Sequence, residues 1–425
     1  MAEKITNGIM PFNPMPNRKH FLIFVILAIL IKLSLFGYVA LNRPQSFSKP
    51  DSDRYLTAGL NLVQHGVFGR IIDGSPIPET YRTPGYPLFL SILHGRLGLP
   101  LAGVILVQVL LTVLTAGLVY KTAQFATAGA NVELSPAGDF VRSKHSLARL
   151  SSLIVLFDPA STIYSMLILS DTLFMFFMAV LMYMFFHYFK NPKLGRLIVC
   201  ALILAASVYI RPVAYYLGIA IVFFFAWHFI RKKSRQTLGH IALFLFIVYG
   251  LLFLWQGRNE RLTNQWKFST IDAATIHKEG LWKSYSRNED KLTQGWPPLP
   301  YYLNVTARSL LSLYTRPASF KYFDTPWLTK AGKVFAYPWM IFWLTGFLVG
   351  LFNLRNPPQD FGGSANALWL KFLVWCILYF TMITIVATMW GSGPRFLMPM
   401  VPMIAILSSY GWIVYTSKLS ISDGR

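Results

Sequence analysis

Charge is scarce in this chain of 425 residues: Asp, Glu, Lys and Arg make up 13% of it, against 54% hydrophobic residues. A soluble domain carries about a quarter charged residues. The balance therefore excludes the ordinary soluble classes and points to a polytopic membrane protein. Acids are rarer still, 17 against 39 Lys and Arg, which leaves a formal net charge of +22. So basic a chain suggests nucleic acid, but no basic domain exists to bind it. Its Lys and Arg residues fall at the ends of apolar runs, where the positive-inside rule puts them. No nucleic-acid partner is expected. Cysteine is nearly absent: Cys200 and Cys376 each lie inside an apolar run. That excludes a disulfide framework and a zinc ligand set and reads both as small core side chains. No internal repeat stands out. The first apolar run has no small-residue cleavage pattern after it, so it reads as a retained anchor.

What is present is a series of long apolar runs. A helix needs about 20 mostly apolar residues to cross a bilayer. Ten runs qualify: 21–41, 101–121, 148–169, 172–189, 195–210, 212–230, 238–256, 335–353, 368–389 and 395–416. The stretch 85–98 is apolar but too short, and it carries His94 and Arg96. It is read as an interfacial or re-entrant helix. Lys121, Lys190, Lys193 and Arg196 fall in one set of loops with the Arg231–Arg235 cluster and the two termini, so that set is read as cytoplasmic. Counting 85–98 as a span would invert this bias. The expected organisation is an N-terminal membrane module (1–256) with a polar outer loop (42–100), a second outer loop (257–334) and C-terminal membrane helices (335–425).

Once the chain is oriented, isolated charges fall at one depth on one side. Asp51 and Asp53 lie in the first outer loop with Arg82; Asp171 joins two helices; Arg211-Pro212, Arg258-Asn259 and Arg395 stand at further outer helix ends. Carboxylates facing several arginines suit a reaction between a phosphate-bearing substrate and a hydroxyl. Arginine forks grip phosphate oxygens, and a carboxylate takes the hydroxyl proton. Each residue alone also has a plain structural reading. Asp171 after Ser170 caps the helix that begins at Thr172, Asp53 caps the amphipathic stretch through Leu56, Leu60 and Val63, and Arg211 anchors to headgroups. Asp51-Ser-Asp53 has Asp-x-Asp metal spacing, a weak signal. Lys32 and Asp158 fall inside apolar runs and are expected to pair across the bundle. That pair would also suit a transporter or flippase of a lipid-linked saccharide. In the second outer loop, Trp266, Trp282, Trp296 and Trp327 suit sugar faces and an interfacial aromatic belt equally, while prolines 297, 298 and 300 predict a rigid turn.

Several of these segments, in order, resemble the GT-C glycosyltransferases that use polyprenyl-phosphate sugars, a superfamily that includes protein O-mannosyltransferases and lipid A aminoarabinose transferases. Asp51-Ser-Asp-Arg-Tyr55 is similar to the family's first-loop pattern, and Arg82-Thr-Pro-Gly-Tyr-Pro-Leu-Phe-Leu90 to its RxPGYPLFL segment. Ser170-Asp171-Thr-Leu-Phe174, Arg211-Pro212, Arg258-Asn259 and Arg395-Phe-Leu-Met-Pro399 follow in family order. The resemblance implies an all-α helical bundle of about ten spans with membrane-parallel helices in the first outer loop. It also implies inverting transfer of a hexose or pentose from a polyprenyl-phosphate donor to a hydroxyl acceptor on a lipid, glycan or protein, at the outer face of a bacterial cytoplasmic membrane. By the same resemblance Asp51 and Asp171 are the catalytic acids, with Asp53 the second choice. Arg82, Arg211, Arg258 and Arg395 bind the donor phosphate. Metal use varies across the superfamily, so a divalent cation such as Mg or Mn is an open cofactor with no certain ligand here. The chain ends soon after its last span, and recognition of a protein sequon by an appended soluble domain is not expected. A neutral residue usually precedes the proline that Asp158 precedes here.

Overall fold

A computed structural model describes residues 18–127, 145–229, 235–271, 299–354, 364–388 and 393–422. The chain is an all-α polytopic membrane protein. Its first helices are α1 (Arg18–Asn42), α2 (Pro50–His65), α3 (Gly85–Leu90) and α4 (Leu101–Thr127). Next come α5 (Ser146–Leu156), α6 (Pro159–Ser165), α7 (Asp171–Lys190), α8 (Leu194–Ile210), α9 (Leu217–Phe229) and α10 (Arg235–Thr263). The last are α11 (Leu299–Thr315), α12 (Pro326–Asn353), α13 (Ser364–Thr388) and α14 (Val401–Ser422). Seven of the ten expected runs form helices long and apolar enough to span. The runs at 195–210 and 212–230 form shorter apolar helices. The expectations for Trp282, Trp296, Pro297 and Pro298 lie outside the described residues; Pro300 sits in the first turn of α11.

The run 148–169 differs from expectation: it is not one helix but α5 and α6, broken at Asp158. Pro159 cannot donate a backbone hydrogen bond, and it forces the residue before it out of helical geometry. Asp158 accordingly has extended backbone, and its Oδ2 accepts the Ser161 amide at 2.6 Å, capping α6. Lys32 is fully buried, yet it makes no ion pair with Asp158. Its Nζ donates to Thr162 Oγ1 at 2.7 Å, and that hydroxyl donates to the Asp158 carbonyl at 2.9 Å. The expected pairing is thus replaced by a bridge through Thr162.

Burial sorts the spans into a centre and a rim. In the apolar 18-residue stretch of each span, 89% of the residues are buried in Pro394–Thr416 and 61% in Asp171–Lys190, against 17% in Arg18–Asn42 and in Leu238–Thr263. Both central spans begin at the same end of the bundle, with Asp171 and Arg395 in their first turns. Glycine sets the closest approach within the centre. Helices α12 and α14 meet at Gly346, Gly350 and Gly411, and a Cβ on Gly411 would lie 1.9 Å from the Gly346 carbonyl oxygen. Small residues four apart let membrane helices pack backbone to backbone. Cys200 and Cys376 are free and buried, as their apolar context predicts.

The first loop folds as α2, a two-stranded hairpin and α3. Helix α2 starts at Pro50, with Asp51 and Asp53 in its first turn, and ends on Gly66 at φ 68°, a left-handed C-cap. Strands β1 (Gly69–Ile72) and β2 (Ser75–Pro78) pair antiparallel around Asp73-Gly74, both at positive φ. That two-residue turn matches the twist of a hairpin. Helix α3 runs on into a wider turn over Ser91–Arg96, so the segment 85–98 is helical and, as expected, short. Replacing Gly411 by Ala is expected to cost about 1–3 kcal/mol, because backbone must shift to admit the methyl group. Thermal unfolding of the purified variant in detergent measures it, and an unchanged Tm would contradict the tight α12–α14 contact.

Candidate active site

Asp51, Arg82, Asp171, Arg211 and Arg395 meet at the end of the bundle where the two central spans begin. Four ion pairs join them in an alternating series. Arg82 Nη2 donates to Asp51 Oδ1 at 2.7 Å, and Arg395 Nη1 to Asp51 Oδ2 at 3.3 Å. Arg395 Nε reaches the second acid, donating to Asp171 Oδ2 at 3.0 Å, and Arg211 Nη1 donates to Asp171 Oδ1. Arg395 is thus shared by both carboxylates. Asp171 is fully buried and Asp51 is not, their side chains being 0% and 38% exposed. Two carboxylates face three guanidinia, so the cluster retains one positive charge in excess.

Local sequence explains how each group arrives. Asp171 opens α7, where unpaired backbone amides and the helix dipole favour an anion. The first loop is tied down by Ser52, whose Oγ donates to the Ile168 carbonyl at 2.8 Å, and by the Ile168 amide, which donates to the Phe47 carbonyl at 2.9 Å. Those bonds set Asp51 beside the entry to α7. Arg82 is placed by the Thr83-Pro-Gly85 turn. A Cβ on Gly85 would sit 2.8 Å from the backbone of Tyr209 and Ile210, so only glycine lets this turn rest on the end of α8. Thr83 Oγ1 adds a hydrogen bond to the Ile210 carbonyl at 3.2 Å. Arg211 follows immediately.

Four supporting residues had no role assigned from the sequence, although Tyr55 and Tyr86 lie within the motif segments. Buried Glu79 accepts the Tyr81 and Arg82 amides at 2.7 and 3.0 Å on one carboxylate oxygen, fixing the turn that carries Arg82. Tyr55 lies under the Arg82 guanidinium, 4.8 Å from ring centroid to Cζ, and its hydroxyl accepts from Arg82 Nη1 at 3.2 Å. Its ring stands edge-on to buried Tyr86 at 5.0 Å. Tyr86 donates to Gln108 Oε1 at 2.8 Å, and Gln108 donates in turn to the Ser165 and Leu167 carbonyls. The cue for Gln108 is a lone amide in an otherwise apolar run, where a polar group demands a partner.

Two of the expected residues are not in the cluster. Asp53 is exposed and pairs with no arginine among the described residues. Arg258 donates to the Glu79 carbonyl at 3.0 Å and to the Phe68 carbonyl at 3.4 Å, with its guanidinium over Trp255 at 4.4 Å. It binds the hairpin side of the Glu79 turn and reaches the cluster only through that turn.

The electrostatics follow from the pairing. Burial acts to raise the pKa of Asp51, but the charges and hydrogen bonds of Arg82 and Arg395 outweigh it and hold the carboxyl below its ordinary value of 3.8. One buried donor of the cluster is left over: Arg82 Nε has no acceptor. The donor set does not suit a divalent cation, because both carboxylates face guanidinia and a dication would share their space with three positive charges. Among the described residues, no group of three His, Cys, Asp or Glu side chains converges.

This architecture recurs in solved membrane proteins. The chain is similar to ArnT from Cupriavidus metallidurans bound to undecaprenyl phosphate: TM-score 0.51 and 14% identity over 91% of this chain and 60% of that one. It is also similar to the Archaeoglobus fulgidus oligosaccharyltransferase in complex with Zn and sulfate: TM-score 0.53 and 14% identity over 93% and 49% of the two chains. A further match is AglB from the same organism, in complex with an inhibitory peptide and a dolichol-phosphate: TM-score 0.50 and 14% identity over 95% and 51%. The chain therefore shares the fold of these proteins, an all-α membrane bundle as its sequence predicts. It spans about half to three-fifths of the length of these structures. No protein-family model and no curated protein sequence matches it.

Two measurements follow from the ion pairs. Asp171→Asn removes a fully buried charge, leaving Arg211 without its carboxylate and Arg395 with Asp51 alone, a loss expected to cost about 3–5 kcal/mol; denaturant unfolding in detergent reads it. Asp51 is different. Its pKa is depressed on folding, so its contribution is complete above 3.8 and is lost as pH falls through the lower folded value. The wild type is expected to lose more Tm on acidification through that window than Asp51→Asn does, and equal slopes would contradict the pairing.

Proposed function

We propose that the chain is an inverting glycosyltransferase that moves a sugar from a polyprenyl-phosphate donor to a hydroxyl acceptor. The observation that carries this reading is the set of three guanidinia on two carboxylates, with a buried unengaged N–H on Arg82. It sits at the paired helix starts of a fold shared with proteins bound to undecaprenyl phosphate and dolichol-phosphate. Helix N-termini and arginine forks both favour phosphate oxygens. The excess of one positive charge suits the single charge of a phosphodiester.

Transfer proceeds by single displacement. The acceptor oxygen bonds to the anomeric carbon as the bond from that carbon to the phosphate oxygen breaks. Polyprenyl phosphate departs with the electron pair, and its growing charge is stabilised by Arg82, Arg211 and Arg395. The hydroxyl proton passes to Asp51. Held by two arginines, Asp51 is a weak base; once the donor phosphate draws those guanidinia to itself, the carboxylate loses the fields that depress its pKa and its basicity rises. Asp171 is a positioning residue that holds Arg211 and Arg395 toward the phosphate. Arg258 positions Arg82 through Glu79. The positive-inside rule supports an active site on the outer face of a cytoplasmic membrane, opposite the basic loops.

The test is transfer of label from a radiolabelled polyprenyl-phosphate sugar to acceptor by reconstituted full-length chain. Asp51→Asn is expected to lose about 10²–10⁴-fold in rate, while Asp53→Asn stays near wild type. Full activity in Asp51→Asn with inactive Asp53→Asn would overturn the assignment. Movement of label across the bilayer without transfer would overturn the reaction class.

A further inference from the structure

Each arginine of the cluster holds a carboxylate; Arg54 holds none. Among the described residues it makes no hydrogen bond and no ion pair, and its neighbour Asp53 is exposed and does not pair with it. Its contact is the ring of Tyr81, whose centroid lies 4.6 Å from the Arg54 Cζ. The same ring carries Arg82, 5.1 Å from centroid to Cζ. Tyr81 is thus a shared platform for two guanidinia. Stacking on an aromatic face fixes a guanidinium while leaving its five edge N–H donors available.

Position gives this free fork a meaning. Arg54 follows Asp51 by three residues on α2, so the two lie on one face of the helix, about one turn apart. The hydroxyl that Asp51 deprotonates therefore lies within reach of Arg54. The excess charge of the five-residue cluster is already matched by one phosphodiester. Arg54 brings a second uncompensated charge to the acceptor side.

We propose that Arg54 and Tyr81 form a second anion subsite, which takes a phosphate or carboxylate that the acceptor carries close to its attacking hydroxyl. This names the chemistry of the acceptor and rests on the transferase reading above. Tyr81 supplies the platform and Arg54 the bidentate fork.

The full chain in detergent is titrated first with farnesyl phosphate, which fills the donor subsite, and then with inorganic phosphate or glucuronate, followed by calorimetry. Wild type is expected to bind one further equivalent of an anion, and the probe that binds tells phosphate from carboxylate. Arg54→Gln is expected to weaken that second event about tenfold, the scale of one charge-assisted contact, while farnesyl phosphate binding changes less than about twofold. Arg54→Lys keeps the charge without the fork and retains part of the affinity. Absence of a second equivalent in wild type, or equal second binding in Arg54→Gln, overturns the subsite. So does a parallel loss of farnesyl phosphate affinity in Arg54→Gln, which would return Arg54 to the donor site. If farnesyl phosphate fails to bind while anion binding still depends on Arg54, the subsite stands and the transferase reading falls.

Discussion

Arg395 is the residue on which the site depends, because its one guanidinium holds two carboxylates from distant parts of the chain. Nε reaches Asp171 at the start of α7 and Nη1 reaches Asp51 in the first loop. Without it, among the described residues, the first loop and the central helices and their entry segment would meet through neutral contacts such as Ser52 with Ile168. Asp171, fully buried, cannot remain ionised next to hydrocarbon without partners. Arg211 and Arg395 supply them, and through Arg395 the buried acid is coupled to the half-exposed one. The result is a rigid acid at the back and a releasable acid at the front. That asymmetry suits a site in which one carboxylate orients the phosphate ligands and the other exchanges protons.

The scaffold serves this arrangement by bringing backbone close to backbone. Gly85 allows the Arg82 turn to rest on the end of α8, and Gly346, Gly350 and Gly411 let α12 pack on α14, the helix that continues from Arg395. The rings of Tyr81 and Tyr55, the latter edge-on to Tyr86, then flank the Arg82 guanidinium beside Asp51. Buried tyrosines anchored by Gln108 give that stack a fixed floor. Each of these residues acts on the chemistry only through the guanidinium it steadies.

Much of this was legible in the sequence. Run length marked seven of the spans, because hydrocarbon thickness sets a length that composition shows directly. Charge scarcity made each outer acid and arginine conspicuous, so Asp51, Asp171, Arg82, Arg211 and Arg395 stood out before any geometry was known. What sequence hid is of two kinds. Local signals were present: Asp73-Gly74 is a hairpin turn within a stretch read only as polar outer loop, and Asp158-Pro159 is a cap followed by a first-turn proline within a run read as one span. Tertiary partners left no local trace. Nothing near Arg258 shows that it faces the Glu79 carbonyl rather than the ion-pair cluster, and nothing near Glu79 shows that its carboxylate binds two backbone amides. Those contacts join residues far apart in the chain.

The central claim is that the donor phosphate takes guanidinia away from Asp51 and so turns a paired carboxylate into a base. An experimental structure of the full chain with undecaprenyl phosphate tests it most directly. The expected result is phosphate oxygens on Arg82 and Arg395, with the Asp51 carboxylate released from at least one of them and Asp171 still bound to Arg211. A phosphate bound elsewhere, with both ion pairs of Asp51 intact, would contradict it.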